Sequence, residues 1–259
     1  MAEVAACYLY PIKGMTCAPA DYLDLEAGST ARGDRAFVFA FADADVGPDG
    51  WVSKHEALTL VNTPQLASIT ASYSTEARRL VLAAPKHGEV SGSIDDPGER
   101  RVLADWLTEV VLGFEKHPLA VRTTRLPLQL LGDGTARFAD RHAEQISLGA
   151  EESARALSER AGRDVALSRF RLNLAVRGLE PWGEFAWAGQ RLAIGEAELH
   201  VTAPLKRCKA VNASPHGGGR DIPVLDLLQS AYGHLDFGVE AAVRRGGRIK
   251  PGDPITVLD

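Results

Sequence analysis

Apolar residues along this chain fall in short alternating runs, and turn-forming residues separate them. "EVAACYLY" stops at Pro11, and "RAFVFAF" gives way to the turn-rich "ADADVGPDG". "RLVLAAP", "LAVR", "QISL", "NLAV", "QRLAIG", "AELHVTA" and "PITVLD" follow. Short β runs bounded by Gly, Pro, Asp and Asn predict strands, and this density of them predicts a barrel or sandwich. Three stretches break the pattern. In "GERRVLADWLTEVVLG", Leu103, Leu107, Val110 and Val111 recur at helical spacing. "AEESARALSERAG" consists of helix formers and stops at Gly162, a C-cap residue. "PVLDLLQSA" predicts a third, short helix. The expected fold is mostly β with inserted helices, α+β in class. The helix near 100–112 places a seam between Arg122 and Gly134.

At 259 residues, the chain is sized for one large or two intimate domains. Such a length buries roughly 70–75% of the unfolded surface, so disulfides and structural metals are not needed for stability. A formal net charge of -5 argues against a general nucleic-acid binder. Three cysteines without a CxxC pair make neither a disulfide framework nor a four-thiolate cluster site. No apolar run approaches the ~18 residues of a membrane span. The start "MAEVAACYLYPIKG" has no signal-peptide pattern, so the expected compartment is a reducing cytoplasm.

Three constellations could carry chemistry. If "SRFRLNLAV" is a strand, Arg169, Arg171 and Asn173 share one face, and Phe170, Leu172 and Leu174 the other. Guanidinium groups bind phosphate or carboxylate through paired donors, although such a row also suits a solvated, salt-bridged face. Cys208 stands in "LKRCKAVNASPHGGG" among Lys206, Arg207 and Lys209. Nearby cations favour thiolate over thiol, the form that attacks electrophiles or binds soft metals. An inert thiol on a basic strand fits the same residues. Lys13 in "YPIKG" and Arg35 in "GDRAFVF" each lie at a strand mouth, where a plain surface charge is equally compatible. Phosphate-loop, dinucleotide, nucleophile-elbow and zinc-hydrolase motifs are absent.

In chain order, "YPIKG", "GDRAFVF", "WVSKHEALTL", "FADRHAEQISL", "RFRLNLAV", "EPWGEFAWAGQRLAIG", "RCKAVNASPHGG" and "GGRIKPGDPITVLD" resemble the MOSC-domain family. That family is named for the C-terminal domain of molybdenum cofactor sulfurase. The resemblance implies a β-barrel-like N-terminal domain over 1–122, packed on a MOSC β-barrel over 123–259. It implies a molybdenum cofactor, molybdopterin with Mo, whose metal takes Cys208 as ligand. By the same resemblance Lys13, Arg35, Asp140, Arg171 and Asn173 hold the pterin and its phosphate, with Arg169, Lys206 and Arg207 beside them. Two departures bear on the substrate. Leu172 stands where the family usually has proline, and Ser214-Pro215-His216 replaces an acidic "DP" segment.

The implied activity is reduction of N-hydroxylated or N-oxide small molecules. With no nucleotide motif and only three thiols, electrons would come from a separate flavin or iron–sulfur protein. No nucleic-acid or membrane partner is expected. An alternative is a carrier module, with Cys208 holding a persulfide or passing on the cofactor without turnover of its own.

Overall fold

A computed structural model describes residues 1–114, 117, 119, 123–135, 138, 139, 145–216 and 219–258. Strands β1 (Glu3–Tyr8), β2 (Pro19–Ala20), β3 (Leu23–Leu25) and β4 (Val38–Ala40) precede a meander of β5 (Thr70–Ser74), β6 (Arg79–Ala84) and β7 (Gly88–Ser93). Helix α1 (Pro97–Leu112) leads to β8 (Gln129–Leu131), β9 (Gln145–Ala150), α2 (Glu151–Ala161) and β10 (Leu174–Arg177). Then come β11 (Arg191–Ile194), β12 (Ala197–Lys206), α3 (Val224–Tyr232), β13 (Asp236–Arg245), β14 (Gly247–Ile249) and β15 (Ile255–Leu258). The mostly β, α+β expectation holds.

Eight strands form one sheet in the order β15-β11-β12-β13-β9-β10-β1-β2. Only β9 and β10 run parallel. The sheet ends at β15 and β2 without joining them, so the described strands form no closed barrel, in contrast to the barrels expected. β4 pairs with β8, and β5 to β7 make a separate antiparallel sheet. Strand β1, from the start of the chain, pairs with β10 and belongs to the large sheet. The segment after β1 therefore leaves from that sheet and crosses to the other half, and this crossing carries Lys13.

The elements follow from local chemistry. Asp96 caps α1, accepting from the amides of Gly98 at 2.7 Å and Glu99 at 2.9 Å, and Pro97 opens the first turn. The buried face of α1, Leu103, Ala104, Leu107, Val110 and Val111, packs with Phe37, Leu80 and Leu82 in the first core. Gly162 ends α2 in the left-handed region, as expected for a C-cap. Strand β13, not anticipated, buries Phe237, Val239, Ala241 and Val243 at alternate positions in the middle of the sheet. Gly238 is required there: it has φ +71°, and a Cβ would lie 2.4 Å from the Leu148 carbonyl oxygen. On one side of the sheet, Phe170 stacks on Phe237 with ring centroids 3.5 Å apart, joining α2 and α3 to the wall of the site.

His117 gives the first half a pH dependence. Its Nδ1 accepts from the Leu119 amide at 3.2 Å, so Nε2–H donates to Thr63 Oγ1 at 3.0 Å. Burial holds its pKa below the ordinary 6.5. The unfolded chain therefore takes up the proton first, and stability present above about pH 6.5 is lost as pH falls below it. Between pH 7.5 and 5.5, thermal melting of the wild type is expected to fall more steeply than that of His117→Gln. Parallel curves would exclude this assignment.

Candidate functional site

A cavity of about 490 Å³ lies where the crossing after β1, the start of β10 and the end of β12 meet. Lys13, Arg35, Arg169, Arg171, Asn173, Lys206, Arg207 and Cys208 all line it. Asp140 lies outside the described residues, as do Gly217 and Gly218 of the glycine run. Lys209, the third cation beside Cys208, borders the cavity too, as do Lys54 and Ser147, which were not singled out from the sequence. Among the described lining residues, eight side chains are basic, and only Asp34 and Glu240 are acidic.

The local backbone differs from the strand expected over Ser168 to Val176. Leu167–Phe170 is a 3-10 turn, Arg171 has φ 51°, and the strand starts at Leu174. The reason is the demand of a buried guanidinium. Arg169 is 5% exposed. Its Nη1 donates to Ala213 O at 3.0 Å and Asp221 Oδ1 at 2.8 Å, and its Nη2 to Asp221 Oδ2 at 2.7 Å. These partners lie opposite the turn, and an extended chain would aim Arg169 along the face shared by Arg171. Its buried Nε has no hydrogen-bond partner among the described residues. The division of side chains nevertheless resembles the alternation expected. Phe170 and Leu172 are buried in the core, and Arg171 and Asn173 border the cavity.

Arg171 and Arg35 converge on Tyr10. Their guanidinium carbons lie 4.4 and 5.0 Å from its ring centroid. Arg35, also left-handed at φ 47°, pairs with Asp34, donates to Arg171 O at 2.8 Å and reaches Asn173 Oδ1 at 3.4 Å. Asn173 is held in turn by the Ser147 amide at 3.2 Å and hydroxyl at 3.1 Å. Arg171 donates to the carbonyls of Met15 and Ile12, and among the described residues no carboxylate pairs with it. Burial, and next the charge of Arg35, pull its pKa down to about 10, so it stays cationic at neutral pH. Among the described residues, these two arginines in sparsely populated backbone conformations have one paired carboxylate, Asp34, so the described cavity wall is net cationic. Tyr10, given no role from the sequence, lies beside both guanidinium groups; it is the tyrosine of "YPIKG" itself.

Cys208 stands just beyond a strand, not on it. β12 ends at Lys206, and Cys208 is the extended N-cap residue of the short turn Lys209–Asn212. The Arg207 guanidinium donates to Phe170 O, while its backbone N–H still donates to Leu235 O at 2.8 Å. The thiol is exposed, whereas Cys7 is buried in β1 and Cys17 is partly buried. Burial foremost raises the Cys17 thiol to about 11 and the Cys7 thiol to about 11. Among the described residues no group of three or more His, Cys, Asp or Glu could hold a metal, so a metal here would rest on Cys208 and ligands brought with it.

Residues 133–256 match the family model described as MOSC domain. The chain carries a MOSC domain. The matched stretch contains Arg169, Arg171, Asn173 and Cys208, while Lys13 and Arg35 reach the same cavity from outside it. Mitochondrial amidoxime-reducing component 1 of mouse is 23% identical over 286 residues, covering 98% of this chain and 82% of the relative. The human protein of that name is 23% identical over 287 residues, with the same coverage. Among solved structures, the YUAD protein of Bacillus subtilis has a TM-score of 0.45 at 14% identity, covering 98% of this chain and 93% of its own. YiiM of Geobacillus stearothermophilus has a TM-score of 0.37 at 24% identity, covering 45% of this chain and 58% of its own. No helix among the described residues is long and apolar enough to cross a membrane.

Proposed function

We propose that this chain binds a molybdenum–pterin cofactor in the cavity and reduces N-hydroxylated or N-oxide substrates with electrons from a separate protein. The observation that carries the reading is the surplus of cationic donors around one exposed thiol. Anionic phosphate and a soft metal are the chemistry that guanidinium groups and a thiolate select. Arg35, Arg171 and Lys13 would receive the phosphate and pterin, and Cys208 would bind the metal. Asn173 fixes Arg35 and, through Ser147, ties it to β9. A bound molybdenum centre would supply the couple that accepts an oxygen atom from the substrate. Cleaving each N–O bond consumes two electrons and two protons and releases water. Amidoxime reduction by relatives aligned over 98% of the chain supports this substrate class.

Lys206, Lys209 and Arg220 are exposed around the Cys208 loop. That basic rim suits an acidic donor, whose coupling would weaken with salt. The test is protein made in a host that synthesises the cofactor. Metal analysis is expected to find about one molybdenum per chain, with turnover of an N-hydroxylated substrate driven by reduced viologen and none by nicotinamide alone. Absence of molybdenum and pterin would overturn the reading. Bound cofactor without turnover would favour the carrier function.

A further inference from the structure

We infer that Arg169 is a positioning residue: its ion pair with Asp221 fixes the loop that presents Cys208, and its guanidinium does not serve the cofactor. This assignment refines the reading above, in which Cys208 is the metal ligand. The loop from Cys208 to Asp221 is fastened on both sides of the cysteine by neighbouring residues of one 3-10 turn. On the N-terminal side, the Arg207 guanidinium donates to Phe170 O. On the C-terminal side, Arg169 holds Ala213 O at 3.0 Å and both carboxylate oxygens of Asp221 at 2.8 and 2.7 Å. The loop's own bonds close between those anchors. Val211 N donates to Cys208 O at 3.1 Å and Ser214 N to Gly219 O at 2.7 Å, and Ala213 and Arg220 form an isolated bridge.

Both terminal nitrogens of Arg169 are engaged, and its side chain is 2% exposed. A bidentate carboxylate contact is the geometry in which an arginine sets position most tightly. Arg171, in contrast, donates to carbonyls and lies over the Tyr10 ring, with no paired carboxylate among the described residues. The two arginines, two positions apart, thus divide the work. One orients the loop that carries the metal ligand, and the other faces the anion.

The two roles predict opposite signs. If Arg169 were a cofactor donor restrained by Asp221, then Asp221→Ala would free it and raise pterin retention. As a positioning pair, both Asp221→Ala and Arg169→Ala lower it. In cofactor-free protein, backbone hydrogen exchange across residues 208–221 is expected to speed up at least tenfold in either single variant. The double variant should be no faster than the singles, and Arg169→Lys should recover part of the protection. Exchange in β13 should stay unchanged. Asp221 is partly exposed, so its alanine variant tests the pair even where Arg169→Ala fails to fold. Unchanged exchange in Asp221→Ala, additive effects in the double variant, or higher pterin retention in Asp221→Ala would each overturn the assignment. The exchange measurement needs no cofactor, so its outcome is separate from whether molybdenum binds at all.

Discussion

Cys208→Ser protein is expected to fold normally and to lose its molybdenum and its N–O reduction. Cys208 occupies the N-cap of a short turn, where its side chain makes no capping bond. Serine is among the favoured residues at such positions, so the loop should keep its shape or tighten slightly. The ligand chemistry changes completely. A hydroxyl at neutral pH is a hard, protonated oxygen, and molybdenum in a dithiolene setting selects soft thiolate. Loss of a partner one shell further out typically lowers metal affinity or activity by 10–100-fold, so removal of the direct ligand should exceed roughly 100-fold. Molybdenum per chain, turnover with reduced viologen and melting temperature should be measured together. Full turnover in the variant would remove Cys208 from the chemistry. Cys17→Ser should keep its metal. Cys7→Ala should lose stability and keep metal content, because Cys7 is buried in β1 and its thiol meets Ile249 O at 3.7 Å.

Most strands with clean alternation, and all three helices, were legible in the sequence. β13 was not, because Gly238, Glu240 and the paired arginines at its end dilute an apolar face that only the neighbouring strands reveal. The candidate residues were legible as motifs, but their backbone was not. Nothing in "SRFRLN" marks Arg171 as left-handed, because arginine has no preference for that region. The conformation is imposed by carbonyls of Ile12 and Met15, some 156–159 residues away along the chain. The pairing of Arg169 with Asp221 was hidden for the same reason, since 52 positions separate them. The sequence could place a cation near a thiol; only the fold tells which cations are already engaged.

Arg171→Ala is expected to lower cofactor retention by roughly 10- to 100-fold while leaving Cys208 in place. Three facts set this size. Arg171 stays charged at neutral pH even though burial and Arg35 pull its pKa down to about 10. No carboxylate among the described residues forms an ion pair with it, whereas Asp34 pairs with Arg35. Hydrogen bonds to charged groups contribute about 1.5–3 kcal/mol, and about 1.4 kcal/mol corresponds to a tenfold change in affinity. The apo protein responds differently. Removing a buried cation that faces another cation relieves repulsion, but the carbonyls of Ile12 and Met15 lose their donor and Tyr10 loses a packing partner. These terms oppose each other, so the melting temperature without cofactor should shift little while pterin content falls sharply. Arg171→Lys keeps the charge but not the planar fork, and should retain an intermediate amount of pterin. Pterin released from purified protein and molybdenum per chain are the measurements that decide. Wild-type pterin content in Arg171→Ala would mean that the anion is held elsewhere in the cavity. Loss of pterin together with a collapsed melting temperature would mean that Arg171 acts through the fold, by joining the crossing after β1 to the start of β10.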